Sequence, residues 1–336
     1  MTRSSPWLHR PRGVHDVMRD VLLALIPGTL ISIVLHGPGV AWNLALCMST
    51  ALVTEAVLLH LRGRPVQRHL GDLSGLLTAA LLALSLPAWL PWWQPVLATM
   101  FALVIGKQLF GGLGYNPFNP AMLGYVVLLI SVPVNMAMWP AHGGDAGTPW
   151  SYLLGQVGVD SLDGWTGATP LDTVRTGLAQ QQTLTELTSG LDTTHHALLA
   201  LGWLLGGAYL LWRKVIPWRT PLAVLAGMAI PALIFHLVDP DRFAGIGFHW
   251  LYGATIFGAL FIATDPVSGS TTPRGRLIFG LGVGVLTWLI RTFGGYPDGF
   301  AFAILLMNIA VPLIDQYTPT RVYGTGRAAA GTRRAP

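Results

Sequence analysis

The amino-acid sequence predicts an all-α polytopic membrane protein with about ten transmembrane helices, and three observations predict it. The first is charge scarcity. Of 336 residues, 52% are hydrophobic and only 10% are charged, against about a quarter in soluble globular chains. So few charges cannot keep a large apolar body in water, and lipid must cover it instead. The second is length: ten apolar stretches approach the roughly 20 residues that cross a bilayer core of about 30 Å. They are 20–36, 40–60, 72–88, 93–110, 120–139, 197–213, 220–238, 246–264, 276–291 and 299–315, the third and ninth being short. The third is the placement of basic residues. With the N-terminus inside, 17 of the 20 Lys and Arg lie on the inner side and only Arg175, Arg242 and Arg291 lie outside, as the positive-inside rule requires.

Each part of the chain then takes a place. Residues 1–19 form a cytoplasmic N-terminus, 20–139 carry helices one to five, and 140–196 form a long polar extracytoplasmic loop. Residues 197–315 carry helices six to ten, and 316–336 form a cytoplasmic tail expected to lack a fold. The basic N-terminus is followed by no cleavage site, so the first apolar stretch reads as a retained helix. The net charge of +5 lies in short runs between apolar stretches, which argues for topology signals and against nucleic acid. A single cysteine, Cys47, lies in an apolar run and reads as a packing residue. Phe110-Gly-Gly-Leu-Gly-Tyr115-Asn-Pro117 before helix five has an echo in Phe293-Gly-Gly-Tyr296-Pro297 before helix ten. The two copies are an odd number of helices apart, the mark of a five-plus-five inverted repeat.

The outer loop holds the segment with the most chemistry, Asp163-Gly-Trp-Thr166-Gly167-Ala168-Thr169-Pro170. Gly167 and Ala168 leave room for a backbone to enter a pocket, and Pro170 biases the residue before it toward extended conformation. Thr169 offers a hydroxyl that can accept a phosphoryl group. The spacing resembles the recognition motif of bacterial flavin transferases, which move FMN from FAD onto a threonine or serine. Asp265-Pro-Val-Ser268-Gly269-Ser270-Thr271 fits the same frame. Topology separates the two, since Thr169 falls outside, where such transferases work, and Thr271 inside.

Four longer segments carry a family resemblance: Gly112–Met122, Thr166–Asp172, Ala263–Arg276 and Arg291–Gly299. They resemble the D subunits of Rnf ion-translocating electron-transport complexes and, more distantly, the B subunit of the sodium-translocating NADH:quinone reductase, together the NqrB/RnfD family. The resemblance implies a ten-helix fold, FMN esterified to Thr169 and a place in a bacterial inner-membrane translocase. The implied partners are the A, B, C, E and G subunits of the Rnf complex, a flavin transferase for maturation, and lipid. It also implies a non-covalent riboflavin in the membrane domain. A secondary transporter or channel without a redox cofactor would share the repeat and the broken helices, but leaves the Thr169 motif unexplained.

Other residues are weighed beside these. Asn116 and Asn119 each precede Pro at the start of helix five, where freed carbonyls would line an ion path or meet a flavin; helix capping is the equal alternative. Lys107 at the inner end of helix four is expected to snorkel to the interface rather than touch a flavin. Asp265 follows Thr264 near Arg274 and Arg276, and suits a cation, riboflavin, a local salt bridge or a turn cap. Glu55 lies within the second stretch, close to its inner edge. His195 and His196 are adjacent and cannot face one way on a helix, so no metal site is expected there.

Overall fold

The computed structural model describes residues 12–140, 150–156, 166–296 and 298–320. Asp163 and the tail beyond residue 320 lie outside the described residues. α1 (Val14–His36) and α2 (Gly39–Leu61) are joined at Gly37, whose φ of 84° suits glycine alone. α3 (Val66–Leu70) leads to α4 (Ser74–Ser85). α5 (Trp93–Leu103) runs on into a wider π turn at Val104–Gln108, and α6 (Pro120–Ser131) with α7 (Pro133–Ala137) completes the first half. The long loop carries α8 (Trp150–Leu153), α9 (Pro170–Ala179) and α10 (Leu184–Ser189). The second half holds α11 (Thr193–Trp212), α12 (Arg219–Val238), α13 (Ile246–Leu251) and α14 (Thr255–Phe257), the last extended by a π turn at Gly258–Ile262. α15 (Pro273–Phe293) and α16 (Phe300–Tyr317) follow. One detail corrects the all-helical expectation: β1 (Trp139–Pro140) and β2 (Thr166–Gly167) pair antiparallel.

Among the described residues five helices, α1, α2, α12, α15 and α16, are long and apolar enough to cross a membrane. The ninth stretch, expected to be short, is an unbroken helix of 21 residues. Thr272 caps its start by accepting the Gly275 amide at 2.9 Å, with Pro273 in the first turn. The other five stretches each contain helix but are broken, short or less apolar. At 12 residues α4 spans about 18 Å at 1.5 Å per residue. Past its C-terminal end the chain turns extended at Leu86, and residues 86–91 are all buried. That burial is what irregular backbone requires where no water can reach it. The eighth stretch breaks at Tyr252–Ala254 between α13 and α14.

Helices pair in matching sets. α1 packs on α11 and α6 on α16; α2 packs on α5 as α12 does on α15; α5 meets α6 as α15 meets α16. Two of these seams need glycine. A Cβ on Gly206 would lie 1.9 Å from the Ala24 carbonyl oxygen, and one on Gly284 2.2 Å from that of Val224. Small residues bring helix backbones together where lipid removes the hydrophobic drive for association. The outer faces are apolar, with Val34 and Val238 82% and 78% exposed, which only lipid or a partner can cover.

The connections sort into two sets that do not mix in the hydrogen bonds that follow. In one, Arg12 donates to the Arg213 carbonyl (2.5 Å), His15 Nδ1 sits 2.7 Å from the Gly71 carbonyl, and Arg64 donates to that of Gly111 (3.1 Å). In the other, the Trp92 amide donates to Leu153, the Leu184 amide to Asp241 (both 2.9 Å), and the Ala254 amide to the Asp298 carboxylate at 2.8 Å.

Candidate functional site

Thr169 is the N-cap of α9. Its backbone is extended (φ −68°, ψ 155°) and its Oγ1 accepts the Asp172 amide at 3.2 Å, while Pro170 begins the helix. The side chain is half-buried, Ala168 is exposed, and Pro170 and Leu171 are buried. The sequence predicts an exposed extended peptide here. The motif is extended but not free, because Thr166 and Gly167 pair with Pro140 and Trp139. Downstream, Val174 of α9 packs with Leu184 of α10 and with Ala244 in the connection between α12 and α13, flanked by Phe248. The motif is therefore clamped on both sides.

Beneath it lies a buried ion pair. Arg291, with its side chain 1% exposed, donates from Nε and Nη2 to Asp298 at 3.2 and 3.0 Å, and from Nη1 to the His249 carbonyl at 2.8 Å. Asp298 also accepts the Ala254 and Phe300 amides at 2.8 and 3.0 Å. Burial pushes the Asp298 carboxyl up, but the Arg291 guanidinium and these donors outweigh it and hold the group below the usual carboxylate range. Gly253, at φ 77°, passes over the pair. A Cβ there would meet Arg291 Nη2 at 2.5 Å, Asp298 Oδ2 at 2.6 Å and Leu171 Cδ1 at 2.7 Å. Leu171, two residues past Thr169, thus rests at the same point as the buried ion pair.

A second site gathers residues far apart in sequence. Lys107, Asn116, Asn119 and Asp265 all line one cavity of about 170 Å³, together with Ser74 and Arg276. Lys107 does not snorkel. It is 3% exposed, and its Nζ donates to Glu55 Oε1 and Ser74 Oγ, both at 2.6 Å. Lys107 lies within the π turn that continues α5, together with buried Gly106 and Gln108. Glu55 also accepts Gln108 Nε2 at 3.0 Å, and a Cβ on Gly75 would fall 2.1 Å from its other oxygen. Lys107 also lines a second cavity of about 290 Å³, with Glu55, Arg64, His69, Asp72 and Tyr115.

Of the two asparagines, Asn119 takes the capping role, and both line the cavity. Asn119 caps α6 through the Met122 amide at 3.2 Å and lines the cavity. Its own amide donates to Asn308 Oδ1 at 3.0 Å, and Asn308 Nδ2 donates to the Ser268 carbonyl at 3.0 Å, tying α6, α16 and the segment after α14. Asn116 donates to the Phe118 carbonyl at 3.0 Å. Asp265 is a turn cap, accepting the Ser268 amide at 3.2 Å and its hydroxyl at 2.5 Å. Burial pushes its carboxyl above the usual range, against those hydrogen bonds. Thr271 donates its hydroxyl to Asp315 at 2.7 Å. His195 is paired with Asp192, and His196 stacks edgewise on Tyr252 at 4.8 Å. Cys47 is fully buried, with Sγ 3.8 Å from the Pro95 carbonyl.

Sequence reasoning leaves Arg291, Asp298, Ser74 and Gln108 without roles. Arg291 and Asp298 stand seven residues apart in the sequence, either side of Gly294 and Gly295, a spacing that allows a pair to close. Ser74 and Gln108 give no signal, since their part depends on where Lys107 points.

These features define a polytopic helical membrane protein with a buried, charge-paired interior and a folded polar segment docked on its helix ends. The chain belongs to the NQR2, RnfD, RnfE family, whose pattern matches residues 1–324. It is 49% identical over 344 residues to the D subunit of the ion-translocating oxidoreductase complex of Yersinia enterocolitica, covering 96% of this chain and 98% of that one. The protein of the same name from Yersinia pseudotuberculosis serotype O:1b is 49% identical over 96% of this chain and 97% of its own length. That from Sodalis glossinidius is 48% identical over 96% and 98%.

Proposed function

We propose that this chain is the membrane-embedded flavoprotein subunit of a complex coupling electron transfer between ferredoxin and NADH to translocation of Na+ or H+. In this reading FMN is joined to Thr169 through a phosphoester, and the chain works with the A, B, C, E and G subunits of the complex rather than alone. The observation that carries it is the Thr169 hydroxyl, half-buried beside exposed Ala168 at the start of α9, in a chain whose relatives are named as subunits of an ion-translocating oxidoreductase complex. When bound, FMN supplies the electron-transfer chemistry. Thr169 supplies the ester oxygen, and the clamped motif fixes where the cofactor leaves the protein surface.

The cavity around Lys107 is the place for a non-covalent riboflavin or a cation. An ammonium has three donors, and Glu55 and Ser74 take two of those on Lys107, which leaves one for an occupant. The Asp265 carboxyl and the carbonyls freed at the Asn-Pro turns are the acceptors for a cation.

Ten crossings related as five plus five, with both termini in the cytoplasm of a bacterial inner membrane, complete the reading. The paired helix contacts support the repeat. The bonds Arg12–Arg213 and Arg64–Gly111 on one side, and Trp92–Leu153 and Leu184–Asp241 on the other, support the crossings, because each joins segments assigned to the same side. A reporter fused near residue 165 should be active only outside; activity in the cytoplasm overturns both the helix count and the choice of Thr169 over Thr271. For the cofactor, the decisive measurement is the mass of the peptide containing Thr169, from chain produced beside a flavin transferase. The expected mass is that of the peptide plus one FMN less water, and an unmodified peptide rules the ester out.

A further inference from the structure

A transferase that reads a peptide must reach both faces of it, and here both are taken. Thr166 and Gly167 are paired to β1, the Thr169 hydroxyl oxygen accepts from the Asp172 amide, Pro170 is buried, and Leu171 is buried against Gly253, which passes over Arg291 and Asp298. Only Ala168 is exposed within Ala168–Leu171. The Val174, Leu184 and Ala244 cluster and the Leu184–Asp241 hydrogen bond of 2.9 Å fasten the rest of the segment to the α12–α13 connection.

From this clamped geometry we infer that the docked segment is closed to modification, so that Thr169 receives its FMN only from an undocked state. The inference rests on the assignment of Thr169 as the flavin acceptor. In the transfer, the Thr169 Oγ1–phosphorus bond forms as the pyrophosphate bond of FAD breaks. AMP leaves and the hydroxyl proton is released, so Thr169 must present its oxygen in line with that bond. In the docked state the oxygen faces its own helix. The order of events is therefore attachment first and docking second, with docking afterwards holding the ester in place.

The test uses the full chain in membranes with a flavin transferase and FAD, and follows in-gel flavin fluorescence with time. All variants carry Cys47→Ala. Ala244→Glu places a charge in the apolar cluster and loosens the docking without touching the motif. Leu184→Cys with Ala244→Cys locks it, with bond formation scored by loss of free thiol. Since the undocked fraction sets the rate, Ala244→Glu should be modified at least roughly tenfold faster than the parent. The oxidised double-cysteine chain should stay unmodified until it is reduced. Equal rates for parent and Ala244→Glu, or modification of the locked chain at the parent rate, overturn the inference while leaving the ester intact. No fluorescence in any chain, Ala244→Glu included, overturns the ester and the inference with it.

Discussion

Replacing Thr169 by alanine should abolish flavin fluorescence on a denaturing gel while leaving the membrane domain folded. The first half follows from chemistry, because alanine has no oxygen to carry the ester. The second half follows from the structure. The Thr169 side chain makes one capping bond to the Asp172 amide, and loss of such a cap costs about 1 kcal/mol. Docking does not depend on that bond, since the strand pair, Leu171 and the Val174 cluster remain. Thr169→Ser keeps both the oxygen and the cap and should keep the fluorescence. Thr271→Ala serves as the control, its hydroxyl being held by Asp315. If Thr169→Ala retained the fluorescent band and Thr271→Ala lost it, the assignment of the acceptor would be reversed.

The largest stability effect is expected at Lys107. Lys107→Ala leaves Glu55 buried with Gln108 as its remaining side-chain donor, and removing one member of a buried ion pair costs about 3–5 kcal/mol. For a chain of this size that corresponds to a fall in Tm of roughly 5–10 °C or more. Lys107→Met combined with Glu55→Gln removes both charges and should recover most of the loss. Thermal unfolding in detergent can be followed with a thiol-reactive dye, because fully buried Cys47 becomes reactive only as the helices part. If the single and double variants unfolded at the parent temperature, the pair would hold no structural weight, and Lys107 would be released for a role inside the cavity alone.

The helices are legible in the sequence because apolar length is a strong signal and needs no side-chain detail. Every one of the ten stretches contains helix. Where sequence and structure part, the physics is local. The capping of α15 by Thr272 and Pro273 begins that helix three residues earlier than its apolar run. Its place at the inner end of helix four suggests that Lys107 reaches the interface, whereas it lies buried in a π turn, which leaves no mark in composition. The pairing of Thr166 and Gly167 with Trp139 and Pro140 joins segments far apart in the chain and depends on tertiary docking rather than pattern. Asn119 is legible as a cap because Asn-Pro favours a helix start whatever surrounds it. Its link through Asn308 to Ser268 joins three elements that no short-range rule connects.

The Arg291–Asp298 pair also bears on how the protein enters its membrane. α15 is the least apolar of the five long helices and carries Arg291 near its end. An arginine entering lipid alone is opposed by a few kcal/mol, and its partner Asp298 is made seven residues later, just before α16. The helix that most needs its charge neutralised therefore acquires the neutralising group only as its neighbour begins to emerge. α15 and α16 are best regarded as one unit of insertion, released into the bilayer together as a hairpin whose turn is already neutral.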